Sequence, residues 1–144
     1  MATIEVKIKI NAPVEKVWAV VSDIDNEPKF WKGTKEVRNI SKNENTMERE
    51  ITIAFRDQKC MQQVTLDPMK QIHAKFTKGV LNGEKIVSLI PEGVETTLQT
   101  VWDVKLTGMM GMFTGMIKNH IKSGTEQAMQ KIKEEMMSNI EELI

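Results

Sequence analysis

Residues 94–106 read Val-Glu-Thr-Thr-Leu-Gln-Thr-Val-Trp-Asp-Val-Lys-Leu, and directly after Thr107 the text changes to Gly-Met-Met-Gly-Met-Phe-Thr-Gly-Met. Before that boundary Val94, Leu98, Trp102, Val104 and Leu106 share one parity with Thr96 and Thr100, while Glu95, Gln99, Asp103 and Lys105 take the other. Successive side chains on a strand point to opposite faces, so this is a long, half-buried strand. Beyond the boundary Met112, Phe113, Met116, Ile117, Ile121, Ala128, Met129, Ile132, Met136, Ile140 and Leu143 form a helical stripe opposite Lys118, Lys122, Glu126, Lys131 and Glu134. A helix of about 30 residues is roughly 45 Å long, enough to cross a sheet.

Working back toward the N-terminus, residues 3–11 alternate strictly, with Ile4, Val6, Ile8 and Ile10 on one face and Thr3, Glu5, Lys7 and Lys9 on the other. Asn11 offers a helix cap and Pro13 suits a first turn, where its missing N–H is no loss. Val14, Val17, Trp18 and Val21 then mark a helix ending near Asp23. Asp25-Asn26-Glu27-Pro28 starts a second short helix that carries Phe30 and Trp31 and closes at Gly33. Residues 34–107 are strand-like, with breaks expected at Lys42-Asn43-Glu44-Asn45, Asp67-Pro68, Asn82-Gly83 and Pro91-Glu92-Gly93. Within that stretch Met47, Ile51, Ile53 and Phe55 face inward alongside Arg49, and Glu48, Glu50 and Thr52 face out.

Strands joined by short turns pair antiparallel, because parallel pairs need long crossovers. The expected architecture is therefore α+β: one domain over residues 1–144, with a curved antiparallel sheet of six or seven strands, two short helices after the first strand, and a long C-terminal helix. A helix about 10 Å wide cannot cover six or seven strands about 4.8 Å apart. Either the sheet curls tightly or apolar space remains.

Composition excludes several classes. Of 144 residues, 40% are apolar and 28% charged, with 20 basic side chains balancing 20 acidic ones. A phosphate backbone calls for a dense basic stripe, and only scattered lysines such as Lys29, Lys32 and Lys35 occur, so no nucleic-acid partner is expected. Cys60 is the one cysteine, which fits a reducing cytoplasm. Met1 to Lys7 lacks the apolar run of a signal peptide, and no segment approaches the roughly 20 apolar residues of a membrane span. There are 11 methionines and no tyrosine. Methionine fills irregular cores or lines adaptable surfaces.

An alternating strand, then Ala12-Pro13 and Val17-Trp18, then Ser22-Asp23, with Pro28 and Trp31 beyond, resembles the entry of the SRPBCC superfamily. That superfamily includes the birch pollen allergen fold, START lipid-transfer domains and polyketide cyclase or dehydrase relatives; the small single-domain form is similar to the cyclase-like group, relatives of a carbon monoxide dehydrogenase subunit among them. The resemblance implies a helix-grip fold with a hydrophobic cavity between sheet and long helix, opened near the start of that helix. Such a fold hosts carriers, receptors, aromatases and co-chaperones, so it does not decide function. The stretch Gly108–Met116, with three glycines among methionines, is a candidate gate, a packed loop, or a membrane-surface contact through Met109, Met110 and Phe113.

General acid–base chemistry needs a titratable group facing the substrate. Parity in the clearest strands turns Glu48, Glu50, Glu95 and Asp103 outward and leaves no inward carboxylate. Arg49, Gln62, Thr100 and His120, the last lying on the helical stripe, form the candidate polar lining. Phe30, Trp31, Ile51, Phe76, Trp102, Met112, Phe113 and Met116 are the candidate apolar lining. Cys60 reads as a core residue with no base beside it. His73 takes the outward parity, the two histidines give no metal-ligand spacing, and the glycines lack the context of a phosphate loop. No metal, cofactor or catalytic residue is expected. The leading reading is binding, transport or sensing of a small hydrophobic molecule such as a lipid, isoprenoid, quinone or polyketide. A cyclase or dehydratase using His120 or Arg49, and a co-chaperone-like interaction module, are the alternatives.

Overall fold

The alternating N-terminal run forms β1, Ala2–Ile10, on the edge of one antiparallel sheet in a computed structural model that describes residues 2–142, with side chains through residue 138. Six more strands follow: β2 Thr34–Lys42, β3 Thr46–Ile53, β4 Lys59–Asp67, β5 Gln71–Gly79, β6 Leu81–Glu92 and β7 Glu95–Leu106. Their order across the sheet is β1-β7-β6-β5-β4-β3-β2. Consecutive strands from β2 to β7 are neighbours, as short turns require, and β1 pairs with β7 through partners such as Val6 with Thr100. The chain crosses from one sheet edge to the other through helices α1, Val14–Val21, and α2, Glu27–Phe30, with a 3-10 turn at Ile24–Asn26 between them.

The long helix α3, Thr114–Glu142, lies against β1, β7, α1 and α2. Its inward side is Ile117, Thr125, Ala128, Met129, Ile132 and Met136, with Ile121 half-buried among them. The curved sheet, the closing helix and the two short helices give the expected helix-grip α+β architecture, with seven strands. Burial sorts the core into two clusters. One gathers Ile10, Val17, Trp18, Phe30, Trp31, Leu98 and Met129; the other gathers Ile51, Ile53, Phe76, Leu81, Val104 and Ile117.

Four local expectations are corrected. Asn11 makes no capping hydrogen bond; Pro13, extended at ψ 158°, takes the cap position itself. Asn82-Gly83 is no turn. The chain reverses at Val80, and Gly83 sits inside β6 with φ +124°, where an added Cβ would run into the Asp103 carbonyl oxygen. Its missing side chain permits a close strand approach, a use of glycine that local sequence cannot distinguish from a turn. Val94 shares the inward parity of β7 but belongs to the hairpin tip and is exposed.

The fourth concerns the start of the helical stripe. Residues Gly108–Phe113 form a 3-10 stretch ahead of α3, so Met112 is out of phase with the helix that follows. Met116 is inside α3 but lies about 100° round the axis from Ile117. Both face solvent, Met112 at 81% and Met116 at 63% exposure. At the other end of the stripe, the side chain of Ile140 and the whole of Leu143 lie outside the described residues.

Candidate functional site

Between the sheet and the first half of α3 lies a chamber of about 450 Å³. Its wall is built from strand positions whose parity turns them inward: Ile51 and Ile53 of β3, Gln62 of β4, Phe76 of β5, Leu81 and Lys85 of β6, and Trp102 of β7. Trp31 closes one side, and Ile117, His120, Ile121 and Gly124 form the helical side. Phe76 stacks on Trp102 with ring centres 6.1 Å apart, and Trp31 meets Trp102 edge-on at 6.2 Å. The Trp102 indole N–H donates to Thr125 Oγ1 at 3.0 Å, and that hydroxyl donates to the Ile121 carbonyl at 2.7 Å. The aromatic wall is thereby held to the helix by a satisfied hydrogen-bond chain.

At one margin of the chamber the lining becomes charged. Arg49, only 1% exposed, has every guanidinium nitrogen engaged. Its Nε donates to Gln62 Oε1 at 2.8 Å, Nη1 to the Ile24 carbonyl at 3.1 Å, and Nη2 to Glu27 Oε1 at 2.5 Å. The second carboxylate oxygen of Glu27 lies 3.6 Å from Lys85 Nζ. That ammonium sits 3.4 Å over the Trp31 ring and 5.1 Å from the Trp102 ring, in cation–π range of both.

Burial and charge compete within this cluster. Burial pushes the Lys85 ammonium down to about 8; Glu27 opposes that shift and Arg49 adds to it. For Glu27, burial favours the neutral acid, yet the attraction of Lys85 and Arg49 prevails and holds the carboxyl below its ordinary range. The inward carboxylate missing from strand parity is therefore supplied by α2. Burying Phe30 and Trp31 presses that helix onto the sheet and turns Glu27 toward Arg49. The Lys85 signal is present in the alternation Leu81-x-Gly83-x-Lys85-x-Val87-x-Leu89, which puts a lysine on the apolar face. Glu27 leaves no such trace, because a one-turn helix has no period to read.

The expected lining residues divide into four groups. Trp31, Ile51, Gln62, Phe76, Trp102 and His120 lie on the chamber wall, His120 at its exposed rim. Phe30 and Thr100 line a smaller cavity of about 30 Å³, shared with Glu27, Trp31 and Lys85. Arg49 stands behind the wall, and Phe113 is half-buried against the Phe76 cluster. Met112 and Met116 point away from the chamber. Thr125, the anchor of Trp102, carries no signal in the sequence, because a threonine on an apolar stripe reads as neutral filler.

Elsewhere, burial pushes the Cys60 thiol up to about 12, an inert core group. His73 contacts Glu84 at 2.7 Å on the outer face of the sheet. Among the described residues no group of three or more His, Cys, Asp or Glu side chains is placed to hold a metal ion, and no helix is long and apolar enough to cross a membrane.

Solved structures of the same architecture come from distant sequences. A protein of Thermus thermophilus superposes with a TM-score of 0.80 at 13% identity, covering 95% of this chain and 98% of the other. The Zhui aromatase/cyclase of a Streptomyces species gives 0.78 at 12% identity, covering 96% and 94%. A START superfamily protein of Mycobacterium smegmatis gives 0.71 at 19% identity, covering 99% of each chain. At such identities the likeness is one of fold. No curated protein sequence matches the chain. The sequence profile of one family does match, over residues 1–137, and with the helix-grip fold around an apolar chamber it shows that the chain belongs to the polyketide cyclase / dehydrase and lipid transport family.

Proposed function

We propose that this protein binds a small hydrophobic molecule inside the chamber, to carry it or to sense it. The observation that carries this reading is the partly enclosed space of about 450 Å³ behind a mainly apolar and aromatic wall. Protein interiors normally leave few voids larger than a water molecule, and ligand pockets typically span about 300 to 1,000 Å³. Four aromatic side chains, Trp31, Phe55, Phe76 and Trp102, stand at the edge of this space without filling it. Trp102 is fixed in that position by Thr125, so the wall is formed in advance of any ligand.

Gly124 provides the test. It lies on the helical wall of the chamber, and a Cβ added there meets nothing within 4 Å. Gly124→Leu should narrow the chamber from its helical wall while stabilising α3 by up to about 1 kcal/mol, the usual cost of a glycine inside a helix. The expected result is loss of binding of a neutral fluorescent naphthalene probe, with an unchanged or raised melting temperature. Undiminished binding by a folded Gly124→Leu protein counts against the chamber as the site.

The cyclase reading keeps one supporting observation, the Glu27–Lys85 pair on the chamber wall, which supplies a titratable acid and base beside an apolar space. Its expected signature is faster deuterium exchange at the acidic carbon of a bound 1,3-diketone, abolished in Lys85→Met. Exchange at the rate in plain buffer removes this reading.

A further inference from the structure

We infer that Lys85 is the seat for an acidic oxygen of the bound molecule, so that the ligand is an amphiphilic anion, with a carboxylate or an ionised phenol or enol at the end of an apolar body. This rests on the chamber being a ligand site and adds the chemical class of the ligand.

The charges of the buried cluster do not balance. Arg49 and Lys85 stand against a single buried carboxylate, Glu27, leaving one cation in excess within the cluster. Asp25, whose charge Arg49 also feels, does not make up the difference, because it lies at the surface bonded to Asn39 and Lys42. Burying a charge without a partner is costly, and nature usually pairs or removes it.

Nor are the donors of Lys85 satisfied. An ammonium has three N–H donors. At 3.6 Å the contact from Lys85 Nζ to Glu27 is longer than a hydrogen bond, and the other carboxylate oxygen is taken by Arg49. The two tryptophan faces attract the cation but leave its donors without a lone pair. Arg49, through Gln62, Ile24 and Glu27, supplies the side-chain hydrogen bonds that fasten this cluster to the sheet. Lys85 adds an ion pair but no hydrogen bond to that fastening, so its N–H donors remain unused there.

Thr100 points the same way independently: its Oγ1 is fully buried and has no hydrogen-bond partner. It lines the small cavity of about 30 Å³ that Lys85, Glu27 and Trp31 also line. Thr100 pairs in register with Val87, two residues along β6 from Lys85 on the same face. Unused donors from an ammonium and a hydroxyl thus line one small cavity, which shares Glu27, Trp31 and Lys85 with the chamber. An acceptor carrying negative charge answers both; a neutral alcohol leaves the excess cation uncompensated.

The test is calorimetric titration of the whole chain at neutral pH with 2-naphthoic acid and with 2-naphthalenemethanol. These share an apolar body and differ in the charge of the polar group. The acid should bind at least about tenfold more tightly. Lys85→Met should remove that preference by weakening the acid far more than the alcohol, and Lys85→Gln, which keeps polarity without charge, should do the same if the methionine variant folds poorly. Equal affinities in the unmodified protein, or an acid preference that survives both substitutions, overturn the inference while the binding of the alcohol leaves the chamber reading intact. If neither compound binds and the neutral naphthalene probe is also refused, the chamber reading itself has failed.

Discussion

Two short irregular segments, Ile24–Trp31 and Gly108–Met116, invert what hydropathy suggests. In the first, Glu27 keeps its charge with a side chain only 13% exposed. In the second, uncharged Met112 is 81% exposed. Each segment is a turn or two of 3-10 or α-helix linking longer elements. The difference is one of partners. Glu27 meets two cations on the inner face of the sheet, whereas the thioethers of Met109, Met112 and Met116 find their nearby core places already taken by Met110, Phe113 and Ile117. Where an element is too short to have a period, the neighbours decide which side chain is inside.

The first way to break this comparison is to remove the partner. Arg49→Met strips Glu27 of its closest cation and leaves Gln62 Oε1 without its donor, while the Ile24 carbonyl keeps the Glu27 backbone N–H. Breaking one side of a buried ion pair typically costs about 3 to 5 kcal/mol, and urea unfolding should show a loss of that order. Glu27→Gln should cost less. It leaves two cations together, but Lys85 can shed its proton and Arg49 cannot. A loss below about 1 kcal/mol for Arg49→Met would place the cluster outside the folding core.

A pH series sharpens the same point. The folded Lys85 value, about 8, lies below its ordinary 10.5, so between those values the unfolded chain holds more protons than the folded one. Stability therefore rises with pH across that window. At about 1.4 kcal/mol per pK unit the gain is a few kcal/mol at most, and Lys85→Met should flatten it. On the acid side the slope has the same sign. Glu27 has a lowered folded value, so the stability it contributes is present above pH 4.5 and disappears as the pH falls through that folded value. A curve that stays flat between pH 8 and 10 in the unmodified protein contradicts a buried ammonium at Lys85.

The parts of the molecule legible from sequence are those with a sustained period. β1, β7 and the body of α3 announce themselves through alternation or a helical stripe, and parity correctly turns Arg49, Gln62 and Thr100 inward. From these the sheet, its antiparallel order and the excess of apolar face all follow. The charged margin of the chamber is not legible as a unit. Arg49 and Lys85 lie on strands separated by β4 and β5, and Glu27 reaches them from across the sheet edge. Only the curvature of the sheet brings the three together, and curvature arises from bulges, twist and close approaches such as that at Gly83. The Met-rich segment misleads for the opposite reason: apolar residues next to a true stripe count into it, although a change from 3-10 to α-helix shifts the phase.

That phase shift sets the smallest predicted effect. Since Met112 and Met116 face solvent, replacing either with serine removes little buried surface, and each change should alter unfolding free energy by no more than about 0.5 kcal/mol. Equilibrium affinity for a chamber ligand should also hold, because neither thioether lies on the chamber wall. The informative measurement is the association rate, followed by stopped flow on the emission of Trp31 and Trp102. If ligands enter past this segment, Met112→Ser and Met116→Ser should change the association and dissociation rates by the same factor and leave their ratio fixed, since a gate lowers a barrier without changing its end states. A change in affinity with an unchanged association rate would instead mean that the thioethers turn inward in the bound state, and the inversion between the two segments would then belong to the empty protein alone.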